Sequence, residues 1–334
     1  GHHAQMAGIF GAALALTVPE IAEKLGGQVV FFATPAEEYG EIEFKNQLRE
    51  QGKIRYGGGK CELIRTGAFD DIDLCLAHHI RPGDEIQVGS GTGNGFVSKV
   101  IRYLGKAAHA AGAPDKGVNA LSAASLGLQA LGLNRETFRD EDCVRVHPII
   151  TKGGNLVNVI PDEIVIETLV RAKTIEAFTD AAKKTDRSFQ AGAVAMGAKV
   201  EITTLPGYLP TLAEQALPEL KRAAELAAPE VPVREAAGHS GGSTDVGDVQ
   251  HLMPVYTFNT GGVKGGLHQI NFEVTNEEEA YIDTAKMFAL AAYGLLKEKA
   301  ARSKELVKNY KPVFKDSAEY TKFMEQFDSK EVLD

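Results

Sequence analysis

At 334 residues, with 44% hydrophobic and 24% charged residues, the chain has the composition of a globular protein and the length for two domains. Its 36 Lys and Arg against 45 Asp and Glu leave a net charge of −9, which argues against nucleic acid or an anionic membrane surface as partner, since both need clustered cations. No apolar run reaches the ~20 residues of a membrane span. Three scattered cysteines, Cys61, Cys75 and Cys143, make neither a disulfide framework nor a CxxC motif, and no signal-peptide pattern is seen, so a reducing cytoplasm is expected.

The sequence opens Gly1-His2-His3 with no initiator Met, read either as an expression-tag scar or as a cut in a longer chain. Residues 4–24 carry Ala and Leu at helical spacing, and QVVFFATP (28–35) reads as a buried strand running into a loop. A helix over 41–53, a Gly-rich turn at 57–59, a short helix and a second apolar strand over 73–79 complete a βαβ pattern. After the Gly-rich stretch 89–93 the texture changes. Alternating strands over 96–106, 144–153, 163–172 and 198–205, with helices over 116–133 and 175–196, make a βαββαβ module with a half-exposed antiparallel sheet. From 211 the α/β texture returns: a helix over 211–227, a loop at 236–244, a strand over 254–261 and a helix over 276–300. A charged, helical tail over 301–334 is expected on the outside.

The strongest local signal is Glu37-Glu38, two adjacent carboxylates expected at the C-terminal end of a buried strand, where open α/β sheets bind ligands. One can hold a metal while the other faces a bound water and takes its proton; the plainer alternative is a solvated Glu pair on a loop. His79 closes the second apolar strand, beside His78, and only one of these neighbours can face a given site. His268 follows Gly265-Gly266, and His2 precedes the first helix. Carboxylates with several imidazoles suit Zn²⁺, with Mn²⁺ or Co²⁺ as alternatives. Ser243, Thr244 and Asp245 read as a helix cap and loop anchor. The glycines at 57–59 and 89–93 match no phosphate loop.

Together these segments resemble the M20 metallopeptidase family, in its amidohydrolase branch of aminoacylase-like and aminobenzoyl-glutamate hydrolase-like proteins. Gly1-His2, followed by Gly11-Ala12-Ala13, keeps the register of the branch's Cys-Gly-His segment, which disfavours the tag-scar reading. The resemblance implies Glu37 as general base, His2, Glu38, His79 and His268 as ligands of two divalent ions, and His79 rather than His78 in the site. Gly105-Lys106-Ala107-Ala108-His109-Ala110 is similar to the lid segment whose histidine acts across a homodimer on the scissile carbonyl. Asn158-Val159-Ile160-Pro161-Asp162 with Arg171 resembles the pair that grips a substrate carboxylate, and Gly261-Gly262 would offer backbone groups to the same end. The branch's ligand cysteine and early sheet strands fall before Gly1, so an incomplete metal site and an open sheet edge are expected within this chain.

The expected fold is α/β: a zinc-peptidase-like doubly wound mixed sheet over 1–92 and 206–300, interrupted at 93–205 by a ferredoxin-like lid and dimerisation domain. The expected activity is hydrolysis of an amide bond in a small N-acyl amino acid, dipeptide or aminobenzoyl-glutamate-like substrate with a free carboxylate. The alternatives weighed are a non-catalytic dimeric small-molecule-binding relative and an M28-type aminopeptidase, the latter disfavoured by the βαββαβ insert.

Overall fold

A computed structural model describes residues 1–334. Helix α1 (His2–Leu16) is almost wholly Ala, Gly and larger apolar residues, and it stops short of Pro19, which opens a separate single turn. The expected helix over 4–24 is therefore cut in two, because proline has no N–H to continue the ladder. One face of α1 (Ala4, Gly8, Ala12, Leu16) is buried, and the opposite Met6, Phe10 and Leu14 are exposed. Gly8 lies so near the helix over 284–309 that an added Cβ would meet the Thr284 methyl at 2.4 Å.

Residues 28–35 are not the buried strand their composition suggests. They have no ladder partner, and Val30 and Phe31 are exposed. A strand exists only where a neighbour takes its hydrogen bonds. Helices α2 (Ile42–Glu50) and α3 (Gly59–Arg65) follow, then strands β1 (Cys75–Ile80) and β2 (Ile86–Val88).

The middle of the chain forms β3 (Gly95–Leu104), α4 (Ala120–Asn134), β4 (Arg145–Val146), β5 (Ile149–Lys152), β6 (Glu163–Ala172), α5 (Ile175–Met196) and β7 (Lys199–Tyr208). Helix α4 starts at Asn119, whose side-chain oxygen accepts from the N–H groups of Leu121 and Ser122. The single strand expected over 144–153 is split at His147-Pro148, since proline cannot donate to the ladder. All pairings in this sheet are antiparallel: β7 lies beside β3, β3 beside β6, and β6 beside β4 and β5. Helices α4 and α5 cover the buried side chains of one face.

The last third contains α6 (Pro218–Ala227), β8 (Val233–Glu235), α7 (Val246–Gln250), β9 (Val255–Thr260), α8 (Thr284–Asn309), α9 (Ser317–Met324) and β10 (Ser329–Leu333). The helix expected over 211–227 begins only at Pro218, a residue suited to the first helical position. Ahead of it, Thr211 and Glu214 bridge to Gly93 and Ser90. A second, mixed sheet runs β1-β9-β2-β8, with β1 parallel to β9, β9 antiparallel to β2, and β2 parallel to β8. Helices α1, α6 and α8 close one face, while α3 and α7 close the other. Helix α8 is broken at Lys297–Ala300, where Glu298, Lys299 and Ala300 take left-handed conformations.

The tail is helical through the end of α8 and over α9, as expected, but it is not packed wholly on the outside. It ends in β10, which pairs antiparallel with β7, and Tyr320, Met324 and Phe327 are buried in the larger core. A charged composition concealed this, because its few aromatic residues are the ones turned inward. No helix is long and apolar enough to cross a membrane.

Candidate metal centre

The centre starts from a turn. Ala36 takes a left-handed φ of 53°, a conformation that costs a non-glycine residue about 1 kcal/mol, and this redirects the chain into Glu37-Glu38. The turn rests on the start of α3: the Gly59 N–H donates to the Ala36 carbonyl over 3.1 Å. A Cβ on Gly59 would lie 1.7 Å from the Pro35 carbonyl oxygen, and one on Gly58 would lie 2.2 Å from the Tyr208 ring. The glycine cluster at 57–59 thus serves close packing beneath the carboxylates. Tyr208 completes the support, its hydroxyl donating to the Glu37 carbonyl over 2.5 Å while its ring packs edge-on against Phe96 and Tyr39.

His2, in the first turn of α1, faces the pair. Its Nδ1 is 2.6 Å from Gln5 Oε1, leaving Nε2 at 3.2 Å from Glu38 Oε1 and 3.6 Å from Glu37 Oε2. Ligand-type atoms of His2, Glu37 and Glu38 all lie within 4.8 Å of one another. His268, at a left-handed φ of 62°, brings Nε2 to 3.5 Å from Glu38 Oε1. His79, near the end of β1, donates through Nδ1–H to the Ile80 carbonyl (2.7 Å), and its ring stands edge-on to His2 with centroids 5.8 Å apart. His78 points the other way, buried against Phe258 and Phe288 with Nε2 at 2.8 Å from Thr260 Oγ1. Burial holds His78 down at about 3 and also lowers His79, a shift toward the neutral imidazole that ligates metal.

This donor set fits a divalent cation. Neither Glu37 nor Glu38 is ion-paired to Lys or Arg, and histidines are their ionic neighbours. His2 and His79 each commit one ring nitrogen to a fixed oxygen partner, the arrangement that sets the tautomer and frees the other nitrogen for a metal.

The remaining sequence candidates fall in three places. Arg171 lies beside the centre on β6, its Nη1 3.2 Å from Ser243 Oγ and its guanidinium over the Phe96 ring. His109 and Asn158 sit together elsewhere: residues 109 and 159 form an antiparallel bridge, the Asn158 carbonyl accepts from the Ala110 N–H, and both side chains are solvent-facing. The Ala111 and Gly112 N–H groups donate to His109 Nδ1, so its Nε2 carries the proton. No hydrogen bond or ion pair joins either residue to Glu37, Glu38 or Arg171 within the chain. Gly261 and Gly262 follow β9 and pack beneath Glu279 and Asn276.

Two contributors were missed in the sequence: Tyr208, and Asn94, whose side chain holds the Gly241 carbonyl and His239 of the neighbouring loop. Ser243, Thr244 and Asp245 read as a helix cap and loop anchor; Asp245 caps nothing with its side chain but anchors the loop by taking the N–H and Nζ of Lys60, and the Thr244 hydroxyl donates to Glu37 Oε1 over 2.7 Å, a contact not expected from the sequence. Only the small-residue loop around 236–244 signalled that something passes close by.

The chain thus joins a mixed α/β scaffold with several sheets to a carboxylate–imidazole cluster beside a strand end. The chain belongs to peptidase family M20/M25/M40, whose profile matches residues 1–293. It is similar to the Xaa-Arg dipeptidase of Mus musculus, 28% identical over 312 residues, covering 90% of this chain and 65% of that protein. The Homo sapiens Xaa-Arg dipeptidase is 29% identical over 310 residues, covering 90% and 64%. Among solved structures, the aminobenzoyl-glutamate utilization protein of Klebsiella pneumoniae matches in fold, with a TM-score of 0.58 at 19% identity over 87% of this chain and 67% of that one. The chain therefore spans a little under two thirds of the length of these two curated relatives.

Proposed function

We propose that the chain carries the hydrolytic centre of a metal-dependent amidohydrolase or dipeptidase. The observation that carries this reading is the approach of His2 and His268 to the Glu37-Glu38 pair, with neither carboxylate ion-paired to a Lys or Arg. Two divalent ions, zinc first with manganese or cobalt as alternatives, would be held by His2, Glu38, His79 and His268. Bound there, they supply the positive charge that acidifies water and polarises an amide carbonyl. Glu37 takes the proton from the attacking water through its carboxylate and returns it to the leaving nitrogen.

Arg171 supports the choice of substrate, because its guanidinium has a hydroxyl and an aromatic face as neighbours but no carboxylate of its own. A substrate with a free carboxylate satisfies it through paired N–H donors. This agrees with small N-acyl amino acids, dipeptides and aminobenzoyl-glutamate-like amides, the last two in keeping with the names of the relatives. Gly261 and Gly262 are read as backbone contacts at the same end.

The segment 93–205 is read as a ferredoxin-like lid and dimerisation domain set into a catalytic domain of 1–92 and 206–300. His109 carries its proton on the exposed Nε2 and lies outside the cluster with Asn158, so both are read as completing the site of a second copy. Free Cys61, Cys75 and Cys143 agree with a reducing cytoplasm.

Metal content and turnover of an N-acyl amino acid and a dipeptide, measured on the protein and on Glu37→Gln, test the proposal. Turnover is expected only in the former, with metal retained in both. Metal without turnover in the unsubstituted protein would favour the non-catalytic binding reading.

A further inference from the structure

The loop over 239–245 contains no metal-ligand candidate, yet it is tied down more thoroughly than an ordinary connection. Its anchor is Asn94, fully buried where the chain crosses into β3. The Asn94 N–H donates to the carbonyls of Ser240 and Gly242 over 3.2 and 3.0 Å. Its side-chain NH₂ donates to the carbonyls of Cys143 and Gly241 over 3.1 and 3.3 Å, and its Oδ1 is 3.0 Å from His239 Nε2. His239 in turn places Nδ1 at 2.9 Å from Thr92 Oγ1. At the other end Asp245, itself buried, takes Lys60 Nζ over 2.6 Å. The N–H and both side-chain polar atoms of Asn94 are thus spent on this loop, with the Cys143 carbonyl as the one further partner, a cost that a merely covering loop does not require.

What the loop delivers is two hydroxyls. Ser243 meets Arg171, and Thr244 Oγ1 donates to Glu37 Oε1 over 2.7 Å. The Val246 N–H approaches Thr244 Oγ1 at 3.4 Å as a donor, which leaves the hydroxyl's own proton directed at the carboxylate. The two oxygens of Glu37 are thereby made unequal: Oε1 is held by Thr244, and Oε2 lies on the His2 side at 3.6 Å. With the Tyr208 hydroxyl on the Glu37 carbonyl, both the main chain and the side chain of this residue are fixed from outside its own turn.

We infer that Thr244 is the positioning residue of Glu37, its hydroxyl holding the carboxylate in the one rotamer that keeps Oε2 turned to the His2 side. This rests on reading Glu37 as the base; Thr244 itself is given no contact with substrate. A hydroxyl–carboxylate hydrogen bond orients the group. Loss of such an outer contact changes activity by roughly 10–100-fold in metal sites.

The test uses Thr244→Val, Thr244→Ser and the unsubstituted chain, each loaded with zinc and assayed with an N-acyl amino acid, with crystal structures of the Val variant and the parent beside the kinetics. The expected result for Thr244→Val is Glu37 in more than one rotamer, kcat lower by about 10–100-fold, KM within about threefold and metal content unchanged. Thr244→Ser, which keeps the hydroxyl, should recover kcat to within a few-fold. A single, unmoved Glu37 rotamer with unchanged kcat in Thr244→Val overturns the inference, as does a Ser variant no better than Val. If the parent itself shows no turnover, the reading of Glu37 as base has failed. The Glu37 rotamer in Thr244→Val then decides the positioning role alone.

Discussion

Arg171 Nη1 stands 3.2 Å from Ser243 Oγ, with the Phe96 ring 5.4 Å from the centre of the guanidinium, and no carboxylate of the chain is ion-paired to it. Burial lowers its pKa, and an arginine remains charged in proteins, so a half-buried cation lies beside the site. Such a cation gains a great deal from an incoming carboxylate, since hydrogen bonds to charged groups contribute about 1.5–3 kcal/mol. Arg171→Ala is expected to weaken binding of free-acid substrates by roughly 10–100-fold on that magnitude and to leave amidated analogues nearly unaffected. Competition assays with matched acid and amide ligands check this; equal losses for both would remove Arg171 from carboxylate recognition.

The carboxylate–imidazole cluster predicts a stability effect independent of turnover. A cation that binds only the folded chain stabilises it by about 2.7 kcal/mol at a hundredfold excess over Kd. Added zinc should raise the melting temperature, a chelator should reverse the rise, and Glu38→Ala should abolish most of it, because Glu38 Oε1 is the atom that both His2 and His268 approach. A zinc-induced rise of equal size in Glu38→Ala would place the ion elsewhere.

Gly59→Ala should be costly although it adds one methyl group. The new Cβ would lie 1.7 Å from the Pro35 carbonyl oxygen, a backbone atom that cannot swing aside. Overpacking of this kind costs about 1–3 kcal/mol, and relaxation must move the turn that carries Glu37. Urea unfolding is expected to show a lowered midpoint with metal affinity reduced in parallel. A normal midpoint and normal affinity would mean the turn is loosely held.

Glu214 predicts a pH dependence. Its Oε1 accepts the Thr257 N–H over 3.1 Å, but Oε2 is buried without a partner, as are Ser90 Oγ and Thr257 Oγ1. Burial pushes its carboxyl up to about 8. The folded state therefore keeps a proton that the unfolded chain releases above its ordinary value of ~4.3. The resulting stabilisation is full below that pH and is lost as pH rises through about 8, by at most ~1.4 kcal/mol per pH unit from this group. Glu214→Gln removes the ionisation, so its unfolding midpoint relative to the unsubstituted chain should improve steadily from pH 5 to pH 8. Parallel midpoints across that range would show that Glu214 does not titrate in folding.

Much of the architecture followed from local pattern alone. The βαββαβ order between residues 95 and 208 came from period-two alternation and two amphipathic helices, which chain-local sterics impose. The start of α6 at Pro218 and the split at His147-Pro148 lay in single residues whose missing N–H punctuates any ladder, although the simple periodic reading passed over both. The carboxylate pair and the histidines were nameable because few other residue types bind divalent metal. Their grouping into one cluster is a tertiary fact: positions 2, 37, 38, 79 and 268 meet only because α1, the 33–38 turn, β1 and the loop after β9 are packed together. Residues 28–35 show the limit from the other side, since an apolar run becomes a strand only when a neighbour accepts its hydrogen bonds. Composition could not tell that Tyr320 and Met324 of a charged tail would be buried, nor that Thr244 would donate to Glu37 across 207 positions of sequence. Sequence by itself determined which side chains were available and how most of the short periodic stretches would coil or extend. Which of them face one another was decided by packing, because a contact between distant residues has no local energetic signature to read.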